Sequence, residues 1–256
     1  LLAGVRATGS LRRARLVFDE HGEAVPYDKL IIATGSRPFI PQMEGTYLAD
    51  GAMKPGVFVF RSLEDCRKIA AYARGKKSAA VIGGGLLGLE AARGLQNFGL
   101  EVSVVHIGGH LMPAQLDPAA GEILKKSMES LGLQVLLKKN TKSILGADHV
   151  LGLRFADETA LDCDMVVISA GIRANWEIAA GSGLTVERGI VVDDHMRSAD
   201  DYNIYSVGEC AQHRGQMYGL VAPLWEQAKV LADHITGRNP NAAYHGSKVA
   251  TKLKVM

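Results

Sequence analysis

Three cysteines in 256 residues, Cys66, Cys163 and Cys210, are too few and too scattered for a disulfide framework or a CxxC metal motif. So little cysteine suits a reducing, cytoplasmic setting. Neither sign of charge dominates: Lys and Arg number 29, Asp and Glu 27, for a formal net charge of +2. That balance gives no electrostatic footprint for nucleic acid and no basic patch for a membrane. Long apolar runs are missing too. The longest stretch free of Asp, Glu, Lys and Arg, residues 102–116, carries His106, His110, Pro113 and two glycines. It falls short of the roughly 18 apolar residues of a membrane span. The N-terminal segment is polar and Arg-bearing, so no secretory leader is expected in it.

What is present is ordinary for a globular protein. Hydrophobic residues make up 47% and charged residues 22%, which excludes wholesale disorder. The length corresponds to one or two domains. Such a chain buries roughly three quarters of its unfolded surface and needs no disulfide or metal to fold. Glycine is abundant at 29 residues, against an average share of about 7%. That excess fits tight turns and close backbone approach to ligands.

Residues 15–18 read as a strand, 20–23 as a turn and 27–34 as a largely apolar strand closed by Gly35. A hairpin alone is marginal, so these strands are expected to join a larger sheet, part of it upstream of residue 1. Strand and helix then alternate, as in a doubly wound α/β fold. Strands are expected at 78–82, 101–105 and 133–137. A helix over 86–98 would present Leu87, Ala91, Leu95 and Phe98 on one face. A second, with Asp117 as N-cap and Pro118 at its first position, would end near Gly132, its apolar positions Ala120, Ile123, Leu124, Met128 and Leu131 following helical spacing. Residues 141–170 read as a β-meander ending in a buried strand at 165–169. Strands at 189–193 and 203–207 and a closing helix over 222–235 follow. Residues 248–256 alternate like the first strand of a further element. Both ends look cut, and the chain is expected to be a fragment.

The sharpest motif is Gly83-Gly84-Gly85-Leu86-Leu87-Gly88, a GxGxxG with Gly83, Gly85 and Gly88 at the fixed positions. The first glycine permits the tight turn, the second lets backbone approach a pyrophosphate, and the third lets helix pack on strand. The helix start then offers free N–H groups and partial positive charge to phosphate. The motif follows a strand, opens a helix and precedes a second strand, the context that supports a dinucleotide site. The second strand ends at His106, followed by Ile107-Gly108-Gly109-His110, with neither an acid for a ribose 2′-hydroxyl nor an Arg for a 2′-phosphate. With no cation offered, the reading leans to NADH, although a protonated histidine would favour the phosphate. The plainer reading makes His106 a loop residue away from the cofactor. Ala33-Thr34-Gly35 ends one strand and Val207-Gly208-Glu209 another, and their placement suggests an outer domain interrupted by the Gly83 unit.

These pieces together resemble the flavoproteins with two dinucleotide-binding domains, the pyridine nucleotide-disulfide oxidoreductase superfamily of glutathione and rubredoxin reductases. The resemblance implies a Rossmann-like NAD(P)-binding domain inserted in an incomplete FAD-binding, glutathione-reductase-like domain. It implies boundaries at 1–74 for a partial FAD-binding domain and connector, 75–180 for the NAD(P)-binding domain, 181–243 for the return to the FAD-binding domain and 244–256 for the start of a truncated C-terminal element. Ala33, Thr34 and Gly35 match the element that links the two domains, and Gly208 and Glu209 the strand end that holds the flavin ribityl chain, with Glu in place of Asp. Gly171 and Ile172 resemble a segment lining the nicotinamide site. Glu90 resembles a Glu found near nicotinamide and flavin; on physics alone it is equally an exposed helix acid. Phe60-Arg61-Ser62-Leu63-Glu64-Asp65, Leu116-Asp117-Pro118-Ala119-Ala120-Gly121, residues 207–215 and Tyr218-Gly219-Leu220-Val221-Ala222-Pro223 further resemble the large subunits of NAD(P)H-dependent nitrite reductases.

That resemblance implies a module in which NAD(P)H, bound across residues 83–88, gives a hydride to FAD, and electrons pass singly to an iron–sulfur and sirohaem domain. Backbone N–H groups of residues 223–227 would stabilise the reduced flavin. The sequence departs from the family in lacking its first GxGxxG and any iron–sulfur or sirohaem ligand set, which predicts weakened retention of FAD by this chain alone. Cys210-Ala211-Gln212-His213 lacks a second ligand pair, and no metal site is expected. Trp225 and Tyr218 could stack on a flavin; core packing of a helix-start aromatic is the plainer reading. Two alternatives stand beside the nitrite reductase module: a reductase serving a small electron-transfer protein such as rubredoxin or ferredoxin, and a flavin-free nucleotide-binding fragment. A homodimer is compatible with each.

Overall fold

A computed structural model describes residues 2–255, in two compact units. One takes the chain through Arg37 and again over Arg173–Ala250; the other takes Pro38–Ile172 and the tail from Thr251.

The first stretch forms β1 (Ala7–Leu11), β2 (Leu16–Asp19), β3 (Ala24–Pro26) and β4 (Leu30–Ile32). β1, β2 and β3 make an antiparallel three-stranded meander. β4 is shorter than the expected 27–34 and stands outside that meander. The chain leaves through β5 (Ser36–Pro38).

The second unit contains β6 (Val57–Val59), α1 (Leu63–Ala73), β7 (Ser78–Ile82), α2 (Leu86–Gln96), β8 (Glu101–Val105), α3 (Pro118–Ser130), β9 (Gln134–Leu136), β10 (Thr141–Leu145), β11 (Gly152–Phe155), β12 (Ala160–Asp162) and β13 (Met165–Ile168). Its centre is a five-stranded sheet in the order β6-β13-β7-β8-β9, parallel throughout. Ala79–Ile82 and all of β13 are buried, which is why both segments read as continuous rather than alternating apolar runs. Ser62 caps α1 in a capping box with Asp65, and Asp117 caps α3 ahead of Pro118, each satisfying helix N–H groups that would otherwise lack partners.

Two expectations are corrected here. The meander is β10-β11-β12 only; β13 leaves it for the parallel sheet. On α2 the buried stripe is Gly88, Leu89, Ala91, Ala92 and Leu95, whereas Leu87 and Phe98 are 42% and 47% exposed. The helix meets the sheet at Gly88, which rotates Leu87 outward. On α3, Ile123 is 68% exposed and Met128 is the deeply buried side chain. The compact units divide at 37/38 and 172/173; β6 pairs with β13, and α1 packs Ile69 and Ala73 into the same core as α2.

The chain returns through β14 (Ile172–Ala174), which pairs with β5, and continues with α4 (Glu177–Gly181), β15 (Ile190–Val192), β16 (Ile204–Ser206), β17 (Ala211–His213) and α5 (Val221–Ile235). β16 pairs in parallel with β4, Ser206 opposite Ile32, and β15 with β17. Pro223, Gln227 and Leu231 form the buried stripe of α5. Trp225 falls on the other side and is 72% exposed, so it does not pack in the core; Tyr218 does. Residues 248–255 form no strand. Near their end, Lys254 N–H donates to Glu90 and Val255 C=O accepts from Arg93, and Met256 lies outside the described residues. Among the described residues no helix is long and apolar enough to cross a membrane.

The Asp164 carboxylate clips the start of β13 to that of β7, accepting the N–H groups of Lys77 at 2.8 Å and Ser78 at 3.0 Å. Those backbone bonds hold its pKa below the ordinary carboxylate value. Asp164→Ala is expected to cost about 1–2 kcal/mol at neutral pH. Because the folded pKa lies below the unfolded one, this contribution is complete at neutral pH and fades as pH falls through the folded pKa. Urea midpoints of wild type and variant should therefore converge on acidification.

Candidate functional site

The carboxyl end of β7 runs straight into the glycine-rich loop. Gly83 has φ +131°, and a Cβ there would lie 2.1 Å from the Ser169 carbonyl oxygen beyond β13. A Cβ on Gly88 would lie 2.0 Å from the Gly83 oxygen. Both positions require glycine for the fold alone. Gly85 differs: its backbone is ordinary extended (φ −87°, ψ −177°), and a Cβ there would meet nothing within 4 Å. The protein does not need glycine at 85, but a backbone-hugging ligand does. Gly85 is also the N-cap of α2, with no side-chain cap and no acid in the first turn. The first N–H groups of the helix thus remain for an anion.

Around this loop lies a groove of about 460 Å³. Gly83, Gly84, Gly85, Leu86 and Leu87 form one wall. His106 and Ile107 close the β8 end, and Ser169, Ala170, Gly171 and Ile172 the β13 end. The chain order of the sheet reverses between β7 and β13, so the groove sits outside the strand ends at the topological switch point, where open α/β sheets bind ligands. Phe60, Arg61, Met43 and Lys139 line it too. These four lie on loops that only the folded sheet brings together, and no local motif marks Met43 or Lys139. No Asp or Glu is among the described residues lining the groove. The Lys139 ammonium is held by Asp157 at 2.5 Å and Thr159 at 2.8 Å; the bond from Lys139, and then one that the Thr159 hydroxyl donates, draw the Asp157 pKa down to about 2.

His106, in the loop after β8, lines the groove. Its Nδ1 accepts the Gly84 N–H at 3.2 Å. Burial first, then the neighbouring His110, lower its pKa, so the ring is neutral at pH 7. The structure thus brings Gly83, Gly85, Leu86, Leu87, His106, Gly171 and Ile172 to one groove, with Gly88 packed beneath it. Glu90 is not among the lining residues, and its Oε1 accepts the Lys254 N–H at 3.0 Å.

In the other unit, Ala33, Thr34 and Gly35 follow β4, and Gly208 and Glu209 follow its parallel neighbour β16. Thr34 donates to the Asn175 carbonyl at 2.5 Å, and the Asn175 amide donates back to Thr34 O at 2.9 Å. Glu209 is 8% exposed and accepts Ser36 Oγ–H at 2.6 Å. Gly208 donates its N–H to Gln227 Oε1 at 3.0 Å. Ser36 is a site neighbour that sequence reading missed; a lone serine after a strand carries no signal. Gly35 (φ +67°) and Gly208 (φ +90°) leave open space where a Cβ would point, a cradle that fits a ligand lying across both strand ends.

A parallel sheet with this loop at its switch point defines a dinucleotide-binding α/β protein. Comparison with known proteins narrows the class. The model of the family described as pyridine nucleotide-disulphide oxidoreductase matches residues 2–232. The chain belongs to that oxidoreductase family. A nitrite reductase [NAD(P)H] of Bacillus subtilis (strain 168) is 52% identical over 230 residues, 90% of this chain and 28% of that protein. The assimilatory nitrate reductase electron transfer subunit of the same bacterium is 46% identical over 239 residues, 93% of this chain and 30% of that protein. The chain thus spans less than a third of these two relatives. A solved ferredoxin reductase from Rhodopseudomonas palustris superposes with a TM-score of 0.83 at 28% identity, over 91% of this chain and 58% of that one.

Gly85→Ala is expected to change stability by less than about 1 kcal/mol while weakening nicotinamide dinucleotide binding at least about tenfold. Gly88→Ala, which drives a methyl into the Gly83 carbonyl, should instead cost about 1–3 kcal/mol of stability. Melting curves alongside NADH fluorescence titrations separate the two effects.

Proposed function

We propose that this chain is the FAD-dependent NAD(P)H oxidoreductase module of a nitrite-reductase-type enzyme. The observation that carries the reading is Gly85: a glycine that the fold does not demand, at the uncapped start of α2, on the wall of the groove. The free N–H groups of that helix start bind the dinucleotide pyrophosphate. Residues 169–172 and Met43 form the wall along which the nicotinamide end lies. In the other unit, Ala33, Thr34, Gly35, Gly208 and Glu209 hold the flavin, with Glu209 fixed by Ser36. FAD, when bound, supplies the hydride acceptor and the change from two-electron to one-electron transfer. Glu90 is the proposed acid near the reacting rings. The domain roles follow: the Gly83 unit handles NAD(P)H and the discontinuous unit handles FAD.

The electrons would leave for an iron–sulfur and sirohaem domain, a reading supported by the two Bacillus relatives. The structural likeness to a ferredoxin reductase favours a second reading, in which a small electron-transfer protein receives them.

The test is a visible spectrum of the purified chain after gel filtration with added FAD, followed by anaerobic NADH. Flavin bands that co-elute and bleach on NADH addition are expected. Retained flavin that NADH leaves oxidised would overturn the reading. A colourless chain that still binds NADH would confine its function to the inner unit.

A further inference from the structure

His106 sits in a cage made by glycines. A Cβ on Gly84 would lie 2.7 Å from its ring, and one on Gly108 would lie 2.6 Å from Nε2. The ring lies flush against both loops, and its Nδ1 takes the Gly84 N–H. Met112 N–H donates to the Gly84 carbonyl at 2.8 Å, and Gly83 N–H donates to Val105 O at 2.9 Å. Every one of these bonds holds the peptide groups just before the α2 start. With Nδ1 as acceptor, the neutral ring must carry its proton on Nε2, which is buried without a hydrogen-bond partner.

We propose that His106 is a positioning residue for dinucleotide binding: as a neutral acceptor it pins Gly84 and so aims the α2 N-terminus, and its protonation releases that pin. The proposal rests on the reading of the groove as the NAD(P) site. Protonation would turn Nδ1 from acceptor to donor, facing the Gly84 N–H. No carboxylate lines the groove to stabilise the new charge. Of the groups packed about the ring, the His110 imidazole, on the same loop, disfavours the cation, and the His110 backbone favours it to a lesser extent. Lys138 and Lys139, after β9, bond their N–H groups to Gly108 O and His106 O, and Arg61 lines the same groove. The lowered pKa of His106 agrees with this setting. A cation here would also attract pyrophosphate, so the two effects predict opposite pH dependence.

The experiment is calorimetric titration of the whole chain with NAD+, which survives acid, between about pH 8 and pH 5, with circular dichroism to confirm the fold at each pH. Affinity should fall about tenfold as His106 protonates, the equivalent of one lost buried hydrogen bond. His106→Phe should bind about tenfold more weakly than wild type at neutral pH, with little pH dependence. In His106→Asn the side-chain oxygen can take the place of Nδ1, so affinity should recover relative to His106→Phe and the profile should stay flat. Tighter binding on acidification would overturn the proposal, as would an Asn variant as pH-sensitive as wild type, which would assign the effect to His110. A folded wild-type chain that binds no NAD+ at any pH would overturn the groove reading and this proposal with it.

Discussion

Three backbones meet without side chains at the carboxyl end of β7, and the second unit is arranged around that meeting. Gly83 lies under the Ser169 carbonyl, and Gly88 lies under the Gly83 carbonyl. Neither contact leaves room for a methyl group. The close approach fixes where α2 begins and where it points, toward the strand ends rather than along the sheet. It also fixes which face of α2 is buried, since the stripe is centred on the contact glycine. The groove is the space left in front of a helix that cannot back away from its strand.

The electrostatics of that space follow from the same geometry. A helix start contributes roughly half a positive charge, worth about 0.3–1 kcal/mol to an exposed anion and up to about 2 in a partly buried site. No acidic side chain lines the groove to oppose it. Of the cations there, Lys139 is already held by Asp157, so part of its charge is neutralised locally. His106 adds no charge at neutral pH. A diphosphate there would meet backbone dipoles, which are directional, together with the Arg61 guanidinium on the groove wall. This places the demand on loop geometry, and the bonds to Gly83 and Gly84 meet it.

Much of this unit was legible in the sequence because its signals are local. The strands over 78–82 and 101–105 match residue for residue, since each is a short apolar run with glycine near its ends. Asp117-Pro118 marked the α3 start because cap and first-position preferences act within one turn. The helix faces were less legible. Leu87 and Phe98 fit the apolar period of α2, but tertiary contact at Gly88 overrides the period. Residues 165–168 looked like the end of a meander because sequence order does not reveal that a strand crosses to another sheet. Part of the groove wall, including Met43 and Lys139, arrives by long-range pairing and leaves no mark in any window of sequence.

Glycines show where such reading gains most from a structure. A glycine with left-handed φ, such as Gly35 or Gly208, is explained by its own backbone. One pressed against a carbonyl, such as Gly83 or Gly88, is explained by packing. Gly94 and Gly181 show neither constraint, but they line no part of the groove. Gly85 has ordinary dihedrals, open space at its absent Cβ and a place on the groove wall. These three together set it apart from Gly83 and Gly88, although an N-cap position favours glycine in its own right. The GxGxxG spacing treats its glycines as equals, whereas their surroundings assign two to the fold and leave the third open to a ligand.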